Sequence, residues 1–274
     1  MPTASSPRVA EGLADAVVIA GTDVIAAIEA LQSAPDDPDA RARLAASGRD
    51  LRAAAHVARK CLAGAPADPF WERVVFFARA GWEVVCHERR GELLDRMGGR
   101  ESYRRLAREQ LGVHRRDWAV DLAFALPLRS GGALRSLLEE TRIACAEADE
   151  AEAPRAWWSR QAASLRRAHK KVFEERLTKQ VRRLRRRVDR CRWALPVLWG
   201  DEDAPAHAAA FGPIADALEE AEVACGLEDF LTDLAEAAPF KGSGALGSAT
   251  RKAAIAACRR AQEARTHLLE SWER

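Results

Sequence analysis

Apolar residues in this chain recur at spacings of three and four rather than two. In QVRRLRRRVDRCRWALPVLW (residues 180–199), Val181, Leu184, Val188, Cys191, Leu195 and Leu198 alternate those spacings and form one apolar seam of a helix. No segment sustains period-2 alternation, β-branched and aromatic residues are sparse, and Ala, Leu, Arg and Glu dominate. The pattern predicts an all-α fold. Breaks at SAPDDPD (33–39), GAPADP (64–69), GGR (98–100), PLRSGG (127–132), EAP (152–154), GDEDAP (200–205) and PFKGSGALG (239–247) interrupt it. They delimit about eight helical stretches, whose short connections suit antiparallel packing in bundles.

Composition sets the bounds. At 274 residues, 48% hydrophobic and 31% charged, the chain is long enough for a well-buried core, and disorder is excluded as its main state. It suits one large domain or two halves, expected at 1–140 and 150–274. Six cysteines (Cys61, Cys86, Cys145, Cys191, Cys225, Cys258) include no C-x-x-C pair, which argues against a zinc ribbon, a thioredoxin-type site or a disulfide framework. Reduced, mostly buried thiols are expected. The apolar run Val17 to Ala20 is too brief for a signal sequence, and no window approaches the roughly 18 apolar residues of a membrane span. A soluble, cytoplasmic protein is therefore expected, without a membrane partner.

The net charge of +2 hides a strong local polarity. Residues 160–192 hold fourteen Lys or Arg against three acids, whereas residues 201–238 hold eleven acids and no Lys or Arg. Two such segments could neutralise each other across a bundle. Seven arginines crowd into residues 182–192, however, and like charges at that spacing repel, so an anionic partner should compensate them. Guanidinium forks match phosphate oxygens and stay charged at any relevant pH, which favours a multivalent phosphate ligand over a single carboxylate. A weaker version of the pattern lies in RDLRAAAHVARK (49–60). Arg49, Arg52, His56 and Arg59 repeat the offsets of Arg182, Arg185, Asp189 and Arg192, 133 residues earlier. This suggests a duplicated helical bundle with two basic helices facing one another.

With these residues the chain resembles the CHAD family, the conserved histidine α-helical domains. The family's signature helices run roughly H-x-x-R-x-x-x-[K/R]-R-L-R-Y, once in each half. In RRLRRRVDRCRW (182–193), Arg185, Arg190 and Arg192 fall on the basic positions and Trp193 on the aromatic one. FGPIADALEEAEVACGLEDF (211–230) is similar to the later motif L-Q-x-x-L-G-x-L-N-D at Gly226, Leu227 and Asp229. The first half admits two registers, with either Arg49 or Ala42 at the histidine position. Departures are plain: both signature histidines are absent, Asp189 replaces a basic residue, and Pro196 interrupts a helix that the family continues.

The resemblance implies two similar four-helix bundles around a basic central channel that binds inorganic polyphosphate, with association to polyphosphate granules in some bacteria. It implies no catalysis by this domain. No cofactor is expected, and the six histidines include no H-x-x-x-H or H-E-x-x-H pair, so no metal site is expected either. The expected ligand-lining residues are Arg49, Arg52, His56, Arg59, Lys179, Arg182, Arg185, Arg186, Arg190 and Arg192. Polyphosphate is a flexible polyanion without bases, so repeated Arg and Lys contacts suffice and no stacking platform is needed. The alternatives are a sequence-independent nucleic-acid binder using the same helix, and a scaffold whose opposite charges pair internally.

Other motifs carry less. GSGALG (242–247) matches G-x-G-x-x-G but lacks a βαβ context, so it reads as a flexible linker or, failing that, as a helix N-terminus near Arg251 and Lys252. DDPD (36–39) reads as a turn with a helix N-cap rather than a metal motif. Trp71, Trp82, Trp118, Trp157, Trp158, Trp193 and Trp199 accompany apolar faces and are expected in the core.

Overall fold

A computed structural model describes residues 6–34, 36–61, 68–128, 135–136, 138–140, 142–143, 154–167, 178–199, 208–237 and 243–273. Among them eight helices of fourteen residues or more follow one another: α1 (Ser6–Ser33), α2 (Pro38–Cys61), α3 (Asp68–Asp95), α4 (Glu101–Leu128), α5 (Pro154–Arg167), α6 (Thr178–Trp199), α7 (Gly212–Ala237) and α8 (Ser243–Glu273). No strand occurs among the described residues. The fold is all-α, and none of these helices is long and apolar enough to cross a membrane.

Local chemistry explains several boundaries. Asp37 caps α2 by accepting the Asp39 N–H on Oδ1 at 2.9 Å, Pro38 takes the first helical position, and Arg59 and Lys60 complement the dipole in the last turn. The turn after α3 contains Gly99 at φ +145°, a conformation that side chains rarely adopt. At the end of α5 the carbonyls of Leu165 and Arg166 accept hydrogen bonds at 2.9 and 2.6 Å from the buried Arg265 of α8. These take up two of the carbonyls that a helix end leaves without partners, and burial lowers the Arg265 pKa.

Two expectations need correction. Ser243–Gly247 is not a linker but the first turn of α8, anchored by Leu246, which is buried in an apolar cluster with Leu94, Met97 and Tyr103. Pro196 does not end α6, which continues to Trp199. Its missing N–H costs one hydrogen bond in the final turn, where little helix remains to be disturbed.

The helices contribute to two compact units. Unit 1 comprises residues 1–85, 118–162 and 189–209; unit 2 comprises residues 86–117, 163–188 and 210–274. This division does not follow the sequential halves 1–140 and 150–274. Instead α3, α4, α5 and α6 each give residues to both units.

In unit 1, Leu13, Val17, Val24, Ile28 and Leu31 of α1 pack with Leu44, Leu51, Ala54 and Ala58 of α2, together with Trp157 and Ala194. Trp82 is also buried, while Trp118, Trp158 and Trp193 are partly buried against this core; the side chains of Trp71 and Trp199 lie outside the described set. Glycine lets α2 approach α3 closely: a Cβ at Gly48 would lie 2.9 Å from the Ala78 Cα, and one at Gly81 would lie 3.1 Å from the Ala45 nitrogen.

In unit 2, Leu94, Met97, Tyr103 and Leu111 pack with Leu227, Leu231 and Leu246, and the Tyr103 hydroxyl donates to the Leu231 carbonyl at 3.5 Å. Every residue from Ala221 to Leu227 of α7 is buried. The thiols of Cys225 and Cys258 lie 3.9 Å apart, and the Cys225 pKa is raised by its contact with Cys258 and then by burial. Cys61, Cys86, Cys191, Cys225 and Cys258 are buried thiols outside any disulfide; Cys145 falls outside the described residues.

Candidate functional site

The ten residues expected to line the ligand surface divide between the units. Arg49, Arg52, His56, Arg59, Arg190 and Arg192 belong to unit 1, whereas Lys179, Arg182, Arg185 and Arg186 belong to unit 2.

In unit 1, α2 and the second half of α6 form a basic cluster. His56 is half-buried, and its pKa falls to about 3, first through burial and then through Arg190, Lys60, Arg52 and Arg59. Four cations from two helices therefore act on one imidazole, which is neutral at physiological pH. Arg59, Lys60 and Arg192 are exposed, while Arg52 and Arg190 are half-buried. The Arg49 guanidinium lies over the Trp82 ring, 5.2 Å from its centroid, so an aromatic face holds this cation in place. Beside it, Asp50 reaches solvent yet sits in a crowded recess. Burial and then Asp189 raise its pKa, against the pull of Arg49 and Arg192. The Asp189 carboxylate thus sets negative charge among these arginines.

In unit 2, the first half of α6 faces α7, and its arginines meet acids. Glu222 is fully buried; Arg182 Nε donates to its Oε1 at 2.6 Å, and Arg185 Nε lies 3.1 Å from its Oε2. Arg185 is only 4% exposed and also lies 3.7 Å from Glu219, which binds Arg89 of α3 as well. The structure thus sets Arg185 in an interior ion-pair network rather than on a ligand surface, because α7 brings a buried carboxylate to it. Arg182 is half-buried in the same network. Arg186 is half-buried, and Lys179 is exposed in the first turn of α6, beside Thr178, which donates to Asp229 at 2.6 Å.

Unit 2 also has a cleft of about 580 Å³ between α3, α7 and α8, with Val223, Ala224, Ala253 and Ala257 on its walls. Its rim arginines are engaged: Arg89 pairs with Glu219, and Arg260 pairs with Glu220 at 2.5 Å. Sequence reasoning missed Lys60 and Trp82 of the basic cluster. Lys60 stands one residue beyond the Arg49–Arg59 pattern, and its position was a usable signal. The apposition of Trp82 and Arg49 is tertiary and had none.

No protein-family model matches the chain, and no curated protein matches it in sequence. Among solved structures, the fold is similar to that of PptA from Streptomyces chartreusis, with a TM-score of 0.64 over 97% of this chain and 99% of that one, at 14% identity.

Proposed function

We propose that this chain binds inorganic polyphosphate or a similar polyanion, without catalysis, through the basic cluster of α2 and the second half of α6. The observation that carries the reading is the gathering of Arg52, Arg59, Lys60 and Arg190 around His56. A polyphosphate chain presents one charge after another along a flexible backbone, so cations on two helices answer it without any further recognition element. Arg49, fixed over Trp82, and Arg192 extend the same surface. The resemblance to the CHAD family supports this ligand and, with it, association with polyphosphate granules in the cytoplasm.

A second reading, internal charge pairing as a scaffold, is favoured in unit 2 by the ion pairs of Arg182 and Arg185 with Glu222. One experiment separates the two. A ligand that binds only the native state raises the melting temperature. Long-chain polyphosphate should therefore raise it at low salt and lose that effect near 0.5 M salt, as counterion release requires (about 0.5 M being well above physiological ionic strength). No rise at either salt would leave the scaffold reading. Displacement of polyphosphate by duplex DNA at equal phosphate concentration would instead identify a nucleic-acid binder.

A further inference from the structure

The interior of unit 2 holds a cation that the ion-pair network of α6 and α7 leaves out. Arg90 of α3 is 7% exposed, and among the described residues no carboxylate lies within ion-pair distance of it. Its Nε has no hydrogen-bond partner, and Nη1 meets Nδ1 of His87 at 3.5 Å. The guanidinium lies against α7 at Gly226, where any Cβ would collide with it. His87, 9% exposed, stacks on the exposed His114 of α4, with ring centroids 5.8 Å apart and planes 15° from parallel. Phe230 of α7 meets the His114 ring edge-on at 5.9 Å.

A buried charge without a counter-charge is unfavourable, and a guanidinium cannot escape the cost by losing its proton. The surroundings define what would relieve it. With Nδ1 facing a guanidinium donor, neutral His87 carries its proton on Nε2, so it too offers an N–H. Burial, then Arg90, then His114 hold the His87 pKa down to about 4, consistent with that neutral form. One guanidinium and two imidazoles from α3 and α4 supply several donors and a positive charge, which repels a metal cation and suits an anion with several acceptor oxygens. His114 opens the group to solvent.

We infer that Arg90, His87 and His114 form a binding site for a single tetrahedral oxyanion, with orthophosphate as the ligand that fits its size and charge. The site uses none of the residues of the α2–α6 cluster. The test is thermal melting and calorimetric titration with inorganic phosphate, in a buffer free of phosphate and sulfate. Wild-type protein should melt higher with phosphate. The exposed substitution His114→Ala should weaken phosphate binding about tenfold, as loss of one charge-assisted hydrogen bond does. Arg90→Met should abolish the response while melting no lower than wild type without anion, because it replaces an uncompensated charge with an apolar side chain.

The doubly substituted chain Arg59→Ala, Arg190→Ala should keep its phosphate response, even where it loses polyphosphate. Tripolyphosphate in place of phosphate tells a free oxyanion from a chain end: binding no tighter than that of orthophosphate supports the single-oxyanion site. Tripolyphosphate binding that exceeds orthophosphate binding and is also lost in His114→Ala would overturn the restriction to one oxyanion. A wild-type chain indifferent to phosphate, or a His114→Ala chain that responds as fully as wild type, overturns the site. Loss of the response in the Arg59, Arg190 double variant would assign the phosphate effect to the α2–α6 cluster and overturn it as well. Should Arg90→Met fail to fold, the His114→Ala comparison still decides.

Discussion

Arg182 and Arg185 near the start of α6, and Arg190 and Arg192 near its end, are the same residue type on one helix, yet their surroundings differ. The first pair closes on the buried carboxylate of Glu222. At the second, Arg190 joins the α2 cations around His56, and Arg192 bears on Asp50 beside Arg49 and Asp189. A count of fourteen basic residues against three acids in residues 160–192 does not tell these ends apart. The distinction comes from the residues opposite: α7 offers glutamates to the first end, whereas α2 offers mainly more cations to the second. One basic helix can therefore pair with buried acids along one stretch and gather with other cations along another.

The sharpest way to break this comparison is at Glu222. Replacing it with Ala leaves Arg182 and Arg185 without their shared carboxylate, and denaturant unfolding should show a loss of about 3–5 kcal/mol. Substituting all three residues with Leu should recover most of that loss, since apolar replacement of a whole buried ion network is often neutral or better.

At the other end of α6 the effect should fall on binding rather than stability. In Arg59→Ala combined with Arg190→Ala, polyphosphate affinity at low salt should drop at least about tenfold, and the slope of log affinity against log salt should shrink by roughly one to two. The melting temperature without ligand should stay within a few degrees of wild type, which circular dichroism can check. Such a variant with unchanged affinity would remove the α2–α6 cluster from consideration.

A third measurement uses pH. His56 has its folded-state pKa depressed to about 3, against an unfolded value near 6.5, so the unfolded state binds more protons between those limits. Stability contributed by the neutral form is fully present above about pH 6.5 and is lost as pH falls toward 3. His87, depressed to about 4, acts in the same direction. His56→Gln should flatten the stability profile below pH 6.5, and polyphosphate binding should take up protons in that range, because an anion restores the imidazolium. The smallest effect is expected for Arg49→Ala, where loss of the contact with Trp82 should cost about 0.5–1 kcal/mol.

Much of the fold was legible because helical periodicity survives in a chain so rich in Ala and Leu. The apolar seam Val181, Leu184, Val188, Cys191 and Leu195 is buried as its spacing predicts. Glycine and proline placed most boundaries but misled at residues 243–247, where a buried Leu246 outweighs two permissive glycines. Side-chain fate was harder to read. Arg185 adjoins Leu184 on the inner face of α6, and nothing in residues 180–199 shows that a carboxylate waits there. α7 gave no clear stripe because its residues from Ala221 to Leu227 are buried all round, Glu222 included. Arg90 and His87 look like ordinary polar residues of an exposed face, and only the packing of α3 against Gly226 reveals otherwise.

The interleaving of the two units carries a consequence for synthesis. Each unit is assembled from three separated stretches of chain, and unit 1 lacks its last stretch until residues 189–209 have been made. Unit 2 draws on residues as far as Arg274. Contacts between such distant stretches are expensive to close before the native packing rewards them. A ribosome-bound chain halted near residue 140 should therefore resemble a loose set of helices rather than half of the finished protein. Neither unit should acquire protease resistance until its final stretch has emerged from the exit tunnel.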